Sequence, residues 1–433
     1  MATVIDSDAR SAVTSGVPAN RDRLFLASCV SLIVTAMTFA IRAEILPELG
    51  VEFGLDNVAL GQISAMAFYG FPIAMMVGGL LYNKVGPKAM MWTAFVSHLI
   101  GLVLTILAGG YWGLMISTFF IGFANGAVEA ACNPLVADMY PDKRTQMLNK
   151  FHVWFPGGIV IGTLVALALG DFSWQVKIGS MLIPTAAYAF LIFGQEFPKV
   201  TGVAADTGRN VRGVFSALFL FIAVCMTLTA TTEFGATQWI NVILSDAGAN
   251  GIVLLLLTSG IMATGRFFAG PLVHRLNPVG VLLMSAVLAA AGLYLLSTLT
   301  GPAIYLATIV YALGICYFWP TMVGLAAEYV PESGALGLSL VGGAGMLGSG
   351  IWLPIIGGWI DGHKADALAT GLEGDAVDLA AGQATLAQIG IFPLILVGLF
   401  VLLYFWVRNR RTASDLHGEH ISGSDVPTPA SAR

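Results

Sequence analysis

The sequence predicts an all-α membrane protein with twelve transmembrane helices in two pseudo-symmetric halves of six. Three observations lead to this fold class. Hydrophobic residues make up 57% of the 433 residues and charged residues only 10%, whereas a typical soluble domain carries about 25% charged residues. Apolar runs of roughly 20 residues, the length that crosses a bilayer core of about 30 Å, recur along the whole chain. An internal repeat relates the two halves.

The apolar runs give the bounds of the predicted helices. Helices 1 to 12 span residues 24–46, 57–82, 88–108, 111–138, 147–170, 175–196, 213–241, 250–274, 278–299, 302–328, 335–360 and 386–408. Residues 1–23 are polar and lack the apolar core of a signal peptide, so we expect a short N-terminal segment. A polar linker, 197–212, separates the six-helix bundles 24–196 and 213–408, and a polar tail covers 409–433.

Positive charge predicts the orientation. Lysine and arginine side chains gather at one side of the predicted bundle, at Arg21, Arg23, Lys84, Lys88, Lys143, Arg144, Arg275 and Arg408. The positive-inside rule places this side, and with it both termini, in the cytoplasm. We also expect an integral protein of the plasma (inner) membrane that is surrounded by lipid and functional as a monomer.

The repeat is visible at two places. Residues 135–142 (LVADMYPD) match residues 325–332 (LAAEYVPE), 190 positions later. A second match, 191 positions apart, joins Gly79, Leu81, Lys84 and Pro87 to Gly270, Leu272, Arg275 and Pro278. An even number of helices in each half makes this a parallel repeat, whose axis runs along the membrane normal.

Glu129 is the candidate proton carrier. It lies inside predicted helix 4, where a charge costs about 2.5–3.5 kcal/mol on insertion scales. A carboxyl group that is neutral when buried and charged when wetted can carry a proton. The alternative is a structural acid that is hydrogen-bonded to a neighbouring helix. The repeat pairs Glu129 with Trp319, so the second half has no equivalent acid.

Three further charged residues are candidates for a gate. Arg42 and Glu44 lie near the outer end of helix 1, and Glu233 lies in helix 7, where the repeat pairs it with Arg42. An Arg42–Glu233 ion pair near the pseudo-twofold axis would close the outer side. Alternatively, all three side chains reach the membrane interface, as long side chains near helix ends do.

Polar and aromatic side chains could bind an uncharged polar solute. Sugar-like solutes present hydroxyl groups around an apolar face, so amides and aromatic rings suit them. The candidates are Asn125, Asn133, Asn149, His152, Gln238, Trp154, Trp239 and Trp319. Single amides also lock membrane helices together, and tryptophans near helix ends anchor them at the interface. We expect His98 to be a satisfied packing residue.

The sequence lacks the motifs of other function classes. It contains no phosphate-binding loop, metal-ligand cluster, catalytic constellation or nucleic-acid module, so we expect no enzyme, no cofactor, no metal and no nucleic-acid partner. The four cysteines fall in four separate apolar runs and show no metal or redox spacing.

The motifs resemble a known family. Twelve helices in two parallel halves, and the stretch 79–88 between helices 2 and 3, are similar to the major facilitator superfamily. Asn83 stands where that family usually has an aspartate, and the stretch 265–278 is similar to the matching loop of the second half. The resemblance implies that these loops govern conformational change, through Gly79, Asn83, Lys84, Gly86, Gly265, Arg266, Gly270 and Arg275.

Within that superfamily, the chain most resembles the fucose–proton symporter branch. The stretch 125–134 (NGAVEAACNP) resembles the helix 4 motif of that branch, in which an acidic residue precedes an Asn-Pro pair. The resemblance implies a secondary transporter that couples protons to the uptake of a sugar or similar small molecule. Two alternatives stay open: proton-driven export of a drug or metabolite, which Pro156-Gly157-Gly158 favours, and a nutrient sensor that binds without transporting.

Overall fold

The computed structural model describes residues 20–55, 57–198, 207–237 and 251–407, and no strand occurs in these ranges. The helices of the first half are Arg21–Phe53, Asn57–Ile106, Tyr111–Met139, Arg144–His152 with Trp154–Ala168, and Trp174–Ser180 with Leu182–Ile192. A short helix, Thr207–Val214, comes before the second half. The helices of that half are Ala217–Ala230, Gly251–Phe267, Ala269–Thr298, Ala303–Ile315 with Phe318–Tyr329, Gly334–Ala369, and Asp375–Ile389 with Ile391–Val407.

Ten helices in the described ranges are long and apolar enough to cross a membrane. One of them, Gln62–Ile106, contains predicted helices 2 and 3, and the shorter apolar helix Val253–Phe267 belongs to helix 8. With these two, the described part of the chain accounts for all twelve predicted helices. The predicted fold class is confirmed.

The two halves repeat the same backbone turns. Helices 2 and 3 meet at Gly86, with φ 74°, and helices 8 and 9 meet at Asn277, with φ 54°. These residues are 191 positions apart, and a proline follows each. Asn277 is the one non-glycine residue with positive φ in the described ranges; asparagine tolerates that region better than most residues. The turns mark the end of the molecule that we call the inner end.

The helix crossings also repeat. A Cβ atom on Gly101 in helix 3 would lie 2.7 Å from Cγ1 of Ile121 in helix 4. At the equivalent crossing of helices 9 and 10, a Cβ atom on Gly292 would lie 2.4 Å from the Cα atom of Tyr311. Without a hydrophobic drive between membrane helices, such close approach of backbones supplies much of the packing.

Helices 11 and 12 are longer than hydropathy predicted. Helix 11 continues to Ala369, and helix 12 is preceded by the helix Asp375–Ile389. The predicted bounds, 335–360 and 386–408, are wrong at these two ends, because apolar length marks the part of a helix inside the bilayer and not where the helix stops. A half-exposed ion pair at 2.5 Å, Lys364–Asp378, joins the two extensions.

The halves are in contact at the inner end. Asn83 donates to the Asn210 side chain at 2.6 Å, and Asn210 donates to the Glu332 carbonyl at 2.9 Å. On helix 5, Arg144 donates to the Ala327 carbonyl at 3.1 Å. These bonds join the halves at the inner end, around a space of about 150 Å³ that Asn83 and Arg144 line.

Candidate functional site

A small cavity at the centre of the bundle brings both halves together. Its lining consists of Glu129, His152 and Phe155 from the first half and Glu233, Phe234, Arg266, Trp319 and Met346 from the second. The cavity measures about 10 Å³, which is room for roughly one water molecule. Two carboxyl groups, a guanidinium and an imidazole therefore share one enclosed space.

Glu129 is held by a hydrogen-bonded chain that runs from helix 4 to helix 5. Asn133, one helical turn later, donates to its Oε2 atom at 2.6 Å. The Oδ1 atom of Asn133 lies 3.0 Å from Nε2 of His152, and that nitrogen lies 3.7 Å from the Glu129 carboxyl. With this amide orientation, assigned from the network, His152 donates through Nε2 to Asn133. Glu129, Asn133 and His152 are each at most 2% exposed.

Arg266 forms the charged partner of Glu233. Its Nη2 atom lies 3.3 Å from Oε1 of Glu233, and both side chains are buried. Glu233 occupies a π-helical turn, Thr231–Gly235, that directly follows the α-helix Ala217–Ala230 in helix 7; such turns are frequent at functional sites. Its second oxygen, Oε2, has no hydrogen-bond partner in the described part of the chain, so one acceptor remains free at the centre.

Two prolines explain the other bonds of Arg266. Pro156 has no N–H to donate to the carbonyl of His152, four residues earlier, and Pro320 stands in the same relation to Cys316. Arg266 donates to both carbonyls, through Nη1 to His152 at 3.0 Å and through Nε to Cys316 at 2.6 Å. One guanidinium thus satisfies a carbonyl in each half.

A larger cavity of about 380 Å³ lies beside the small one, between the halves. Phe155, Glu233 and Phe234 line both cavities. A row of edge-to-face rings crosses from one half to the other, with centroid separations of 5.9 Å for Phe39–Phe68, 6.0 Å for Phe39–Phe155, 6.4 Å for Phe155–Phe234 and 5.9 Å for Phe234–Trp319. Polar groups in the larger cavity come from Glu44, Thr163, Glu233, Thr237, Thr258 and Ser259.

The predicted Arg42–Glu233 pair is not formed in this structure. Glu233 is paired with Arg266, while the Arg42 guanidinium lies 5.3 Å from the ring centroid of Phe39. The Nη1 atom of Arg42 is buried without a hydrogen-bond partner among the described residues. Glu44 is exposed and lines the larger cavity. The pair was predicted for a state with the outer side closed, and opening would break it, so it stays a prediction for that state.

Asn125 does not line either cavity. Its Oδ1 atom lies 2.9 Å from Nε2 of His98, and its Nδ2 atom donates to Thr38 at 2.9 Å. The other ring nitrogen of His98 lies 3.0 Å from the Tyr188 hydroxyl. These buried groups join helices 1, 3, 4 and 6 within the first half. The interpretation of His98 as a satisfied packing residue agrees with this geometry, and the same network explains Asn125 as a helix lock.

The remaining binding candidates are scattered. Asn149 donates to the Thr145 carbonyl and, across the halves, to Thr321 at 3.3 Å, so it lies at the inner closure. Trp154 is 36% exposed and is not among the lining residues of either cavity. Trp319 lines the small cavity, and its buried indole N–H has no hydrogen-bond partner in the described ranges. Gln238 and Trp239 lie outside the described residues.

The loop-motif glycines pack between the halves. A Cβ atom on Gly79 would lie 2.7 Å from Cβ of Ser339 in helix 11, and one on Gly270 would lie 2.4 Å from the Gln146 side chain in helix 5. Gly265 approaches the sulfur of Cys316, within the second half. Of the other motif residues, Gly86 forms the turn already described, Asn83 contacts Asn210, and Lys84 and Arg275 are exposed at equivalent positions.

Arg266 was grouped with the conformational loop motifs, although the predicted helix 8, 250–274, contains it. In the structure it is 1% exposed at the centre of the bundle. A signal was present in the sequence: an arginine within the apolar run 250–274 is a functional candidate by the same reasoning that singled out Glu129.

Comparison with known proteins gives the family. Residues 24–352 match the family model described as Major Facilitator Superfamily. Among similar proteins, a probable sugar efflux transporter of Haemophilus influenzae is 22% identical over 310 residues, 68% of this chain and 75% of that protein. A 4-hydroxybenzoate transporter of Pseudomonas putida is 25% identical over 395 residues, 78% of this chain and 84% of that protein.

Solved structures agree on the fold. A variant of the E. coli fucose–proton symporter is 18% identical, covers 86% of this chain and 98% of its own, and superposes with a TM-score of 0.65. A proton–xylose symporter is 15% identical, covers 92% of this chain and 98% of its own, and superposes with a TM-score of 0.74. The predicted resemblance is confirmed at the level of superfamily and fold.

Proposed function

Because the chain belongs to the Major Facilitator Superfamily, and is therefore a membrane transporter of small molecules rather than an enzyme, we propose that it couples protons to the transport of a polar solute. The two halves would rock about the central site to expose it to each side of the membrane in turn. In the described structure the halves touch at the inner end, through the Asn83, Asn210 and Arg144 bonds, and the larger cavity lies on the other side of the small one.

The observation that carries the proposal is the position of Glu129. It is 2% exposed, it is bonded to Asn133, and it shares a cavity of about one water with Glu233 and Arg266. Ionisation there costs free energy while the cavity is dry and costs much less when the cavity opens to water. A carboxyl group whose hydration changes with the conformation binds a proton in one state and releases it in the other.

The larger cavity favours a solute with hydroxyl groups and an apolar face, as a sugar has. Its row of phenylalanine rings offers flat apolar contacts, and its threonine and serine side chains offer hydrogen bonds. The unpaired Oε2 atom of Glu233 would accept a hydrogen bond from a solute hydroxyl group. Buried polar groups of this kind give specificity because an unsuitable ligand leaves them unpaired.

The charge pattern of the sequence supports one orientation of the protein in the membrane. We propose that it works as a monomer in the plasma (inner) membrane, with both termini cytoplasmic and the inner end of the structure facing the cytoplasm. Accessibility of single introduced cysteines to an impermeant thiol reagent in intact cells tests this orientation. Labelling of a cysteine placed at Lys88 from outside the cell would contradict it.

The test of the function begins with a ligand. Thermal-shift screening of the purified protein against L-fucose, D-xylose, D-glucose and 4-hydroxybenzoate identifies a binder, since a true ligand stabilises the folded state by mass action. Uptake of that compound into proteoliposomes is then measured with and without an imposed pH gradient. We expect a gradient to drive accumulation in the wild type. Glu129→Gln should lose gradient-driven accumulation and keep exchange of labelled for unlabelled solute.

Glu48→Gln is the matched control. Glu48 pairs with Lys177 at the far end of helix 1, away from the central cavity, so this variant should retain coupled uptake. Accumulation by Glu129→Gln equal to that of the wild type would show that Glu129 is not the proton site.

Proton-driven export is the second candidate function. The run Pro156-Gly157-Gly158 resembles part of the helix 5 motif of proton-driven antiporters. One similar protein is named a probable sugar efflux transporter. Vesicles of opposite pH gradients separate the two directions: a symporter accumulates solute on the side toward which protons flow, and an antiporter accumulates it on the other side.

A further inference from the structure

The space at the inner end is a cavity that the central site does not use. It measures about 150 Å³, which is room for roughly ten water molecules. Asn83, Asp138 and Arg144 line it from the first half, and Ser333 and Leu338 line it from the second. None of its lining residues lines either central cavity. The two halves therefore enclose a further space, separate from the candidate functional site.

Two polar atoms of these lining residues are buried without a partner. The Oδ1 atom of Asn83 and the Nε atom of Arg144 have no hydrogen-bond partner among the described residues. Each side chain makes one bond elsewhere: Asn83 donates to Asn210, and Arg144 donates to the Ala327 carbonyl. The orientation of the Asn83 amide is assigned from this network. Buried polar atoms without a partner call for a ligand or a water molecule, so the space offers one acceptor and one donor.

The charges around this space balance. Asp138 and Arg144 are close enough for their charges to interact, yet they form no ion pair in the described part of the chain. The other lining residues carry no charge, and Tyr82, Val330 and Leu338 supply apolar walls. One carboxylate and one guanidinium leave the lining without net charge. This balance favours an uncharged ligand over an anion or a cation.

Solvent reaches the space at Asp138. Asp138 is the exposed member of the lining, whereas Tyr82, Ala137, Ser333 and Leu338 are buried. A ligand would therefore enter from the inner end, which is the cytoplasmic side in the proposed orientation. The larger central cavity lies on the opposite side of the small one, so the two spaces do not share an entrance in this structure.

We propose that this space is a second ligand site, which takes a small uncharged polyol from the inner side and holds the two halves together. A hydroxyl group both donates and accepts, so polyol hydroxyls would donate to Oδ1 of Asn83 and to the Asp138 carboxylate and accept from Nε of Arg144. The carbon chain would pack on the apolar walls. A volume of roughly ten water molecules suits about six to ten non-hydrogen atoms, the range from glycerol to xylitol.

The consequence is regulation from the inner side. Because residues of both halves form the lining, the site is complete only while the halves meet at the inner end. A ligand that binds one state shifts the population toward that state. A bound polyol would therefore slow opening to the inner side. Glu129 takes no part in this site, so the inference does not depend on the proposed proton coupling.

Protection of an introduced cysteine tests the site. Ala137→Cys is the reporter, because Ala137 is 3% exposed and lines this space, while all four native cysteines are buried. Its rate of modification by N-ethylmaleimide is measured on the full-length protein in nanodiscs, and the protein without the reporter gives the background. We expect xylitol to slow the reaction about tenfold once its concentration is about ten times its dissociation constant. Sucrose at equal osmolality is too large for the space and controls for osmolyte exclusion.

Arg144→Lys separates this site from any other, and Lys143→Gln is its control. Lysine keeps the positive charge and a donor for the Ala327 carbonyl but lacks the Nε donor. We expect Arg144→Lys to weaken protection by xylitol about tenfold, the loss of one charge-assisted bond. Lys143 is exposed, directly precedes Arg144 and is not part of the lining, so Lys143→Gln should keep full protection. Unchanged protection in Arg144→Lys would show that the polyol acts elsewhere and would overturn the inference.

The effect on the halves has its own measurement. Spin labels at Lys88→Cys and His274→Cys, exposed positions at the inner end of the two halves, report their separation by electron paramagnetic resonance. Xylitol should raise the population with the shorter distance in the otherwise unaltered protein and leave it unchanged in Arg144→Lys. Identical populations with and without xylitol in the unaltered protein would overturn the holding role.

A second reporter keeps the inference testable if Ala137→Cys does not fold. Leu338→Cys lines the same space from the second half, where Leu338 is 4% exposed. If neither xylitol nor glycerol protects either reporter, or if inorganic phosphate protects and the polyols do not, the inference is wrong. Glu129→Gln should keep full protection by xylitol. Loss of proton coupling would therefore leave this site in place, and loss of protection would leave the proposed function in place.

Discussion

Removal of one partner of the Arg266–Glu233 pair should destabilise the protein more than removal of both. Arg266→Met leaves Glu233, 4% exposed, as a buried carboxylate without a cation. Glu233→Leu leaves the guanidinium with only the His152 and Cys316 carbonyls. The double variant leaves no unpaired charge, and only the two carbonyls lose a donor.

The magnitudes follow from these contacts. Breaking a buried ion pair by removing one partner costs about 3–5 kcal/mol. A buried carbonyl that loses its donor costs about 1–3 kcal/mol, and Arg266→Met orphans two of them. Because the double variant carries the carbonyl penalty without the charge penalty, adding Glu233→Leu to Arg266→Met should raise the free energy of unfolding by about 3–5 kcal/mol.

Unfolding in mixed detergent micelles with increasing sodium dodecyl sulfate, followed by circular dichroism, measures these differences. The deficit of Arg266→Met should shrink as the pH falls, because a protonated Glu233 is no longer a buried charge. If the double variant is no more stable than Arg266→Met, or if the loss of stability in Arg266→Met does not depend on pH, then Arg266 and Glu233 do not form a buried ion pair.

Other predictions follow from single contacts. Gly126→Ala should lower the thermal midpoint in micelles markedly, because its Cβ would lie 2.1 Å from the Phe71 carbonyl oxygen, whereas Gly157→Ala, where the nearest atom is a ring carbon at 3.7 Å, should change it little. Asn125→Leu should cost about 1–3 kcal/mol by leaving its buried partners unpaired, without altering solute affinity in a binding assay. Asn83→Ala should raise the reactivity of a cysteine placed at Ala137, which is 3% exposed and lines the same inner-end space as Asn83, because the 2.6 Å bond from Asn83 to Asn210 shields that end; unchanged reactivity would contradict a closing role.

Local sequence predicted the fold and one side of the site. Hydropathy located the helices, and the repeat located the equivalent stretches that end at Pro87 and Pro278. Glu129, Asn133 and His152 could be grouped because a few residues of helix and one turn separate them. The bond between Arg266 and Glu233 could not be predicted in this way, because its members lie on different helices and single-sequence patterns carry no long-range distances.

The misplaced candidates show the same limit. Asn125 is one helical turn before Glu129, yet the rotation of helix 4 turns it toward His98 and away from the cavities. Packing against neighbouring helices decides which face of an apolar helix meets the solute. A helix that is hydrophobic on all sides has no amphipathic pattern that would reveal this face in the sequence. Polar residues within apolar segments could therefore be identified from the sequence, but whether each one lines a cavity or locks helices together could not.

The two proline-released carbonyls have a consequence for how related sequences can diverge. Pro156 and Pro320 create an acceptor in each half, and Arg266 supplies the donors that both require. A relative that replaced either proline would need the arginine less, and one that lost the arginine would keep unsatisfied carbonyls in the bilayer unless the prolines changed as well. Positions 156, 266 and 320, which lie on three different helices, should therefore vary together across the family.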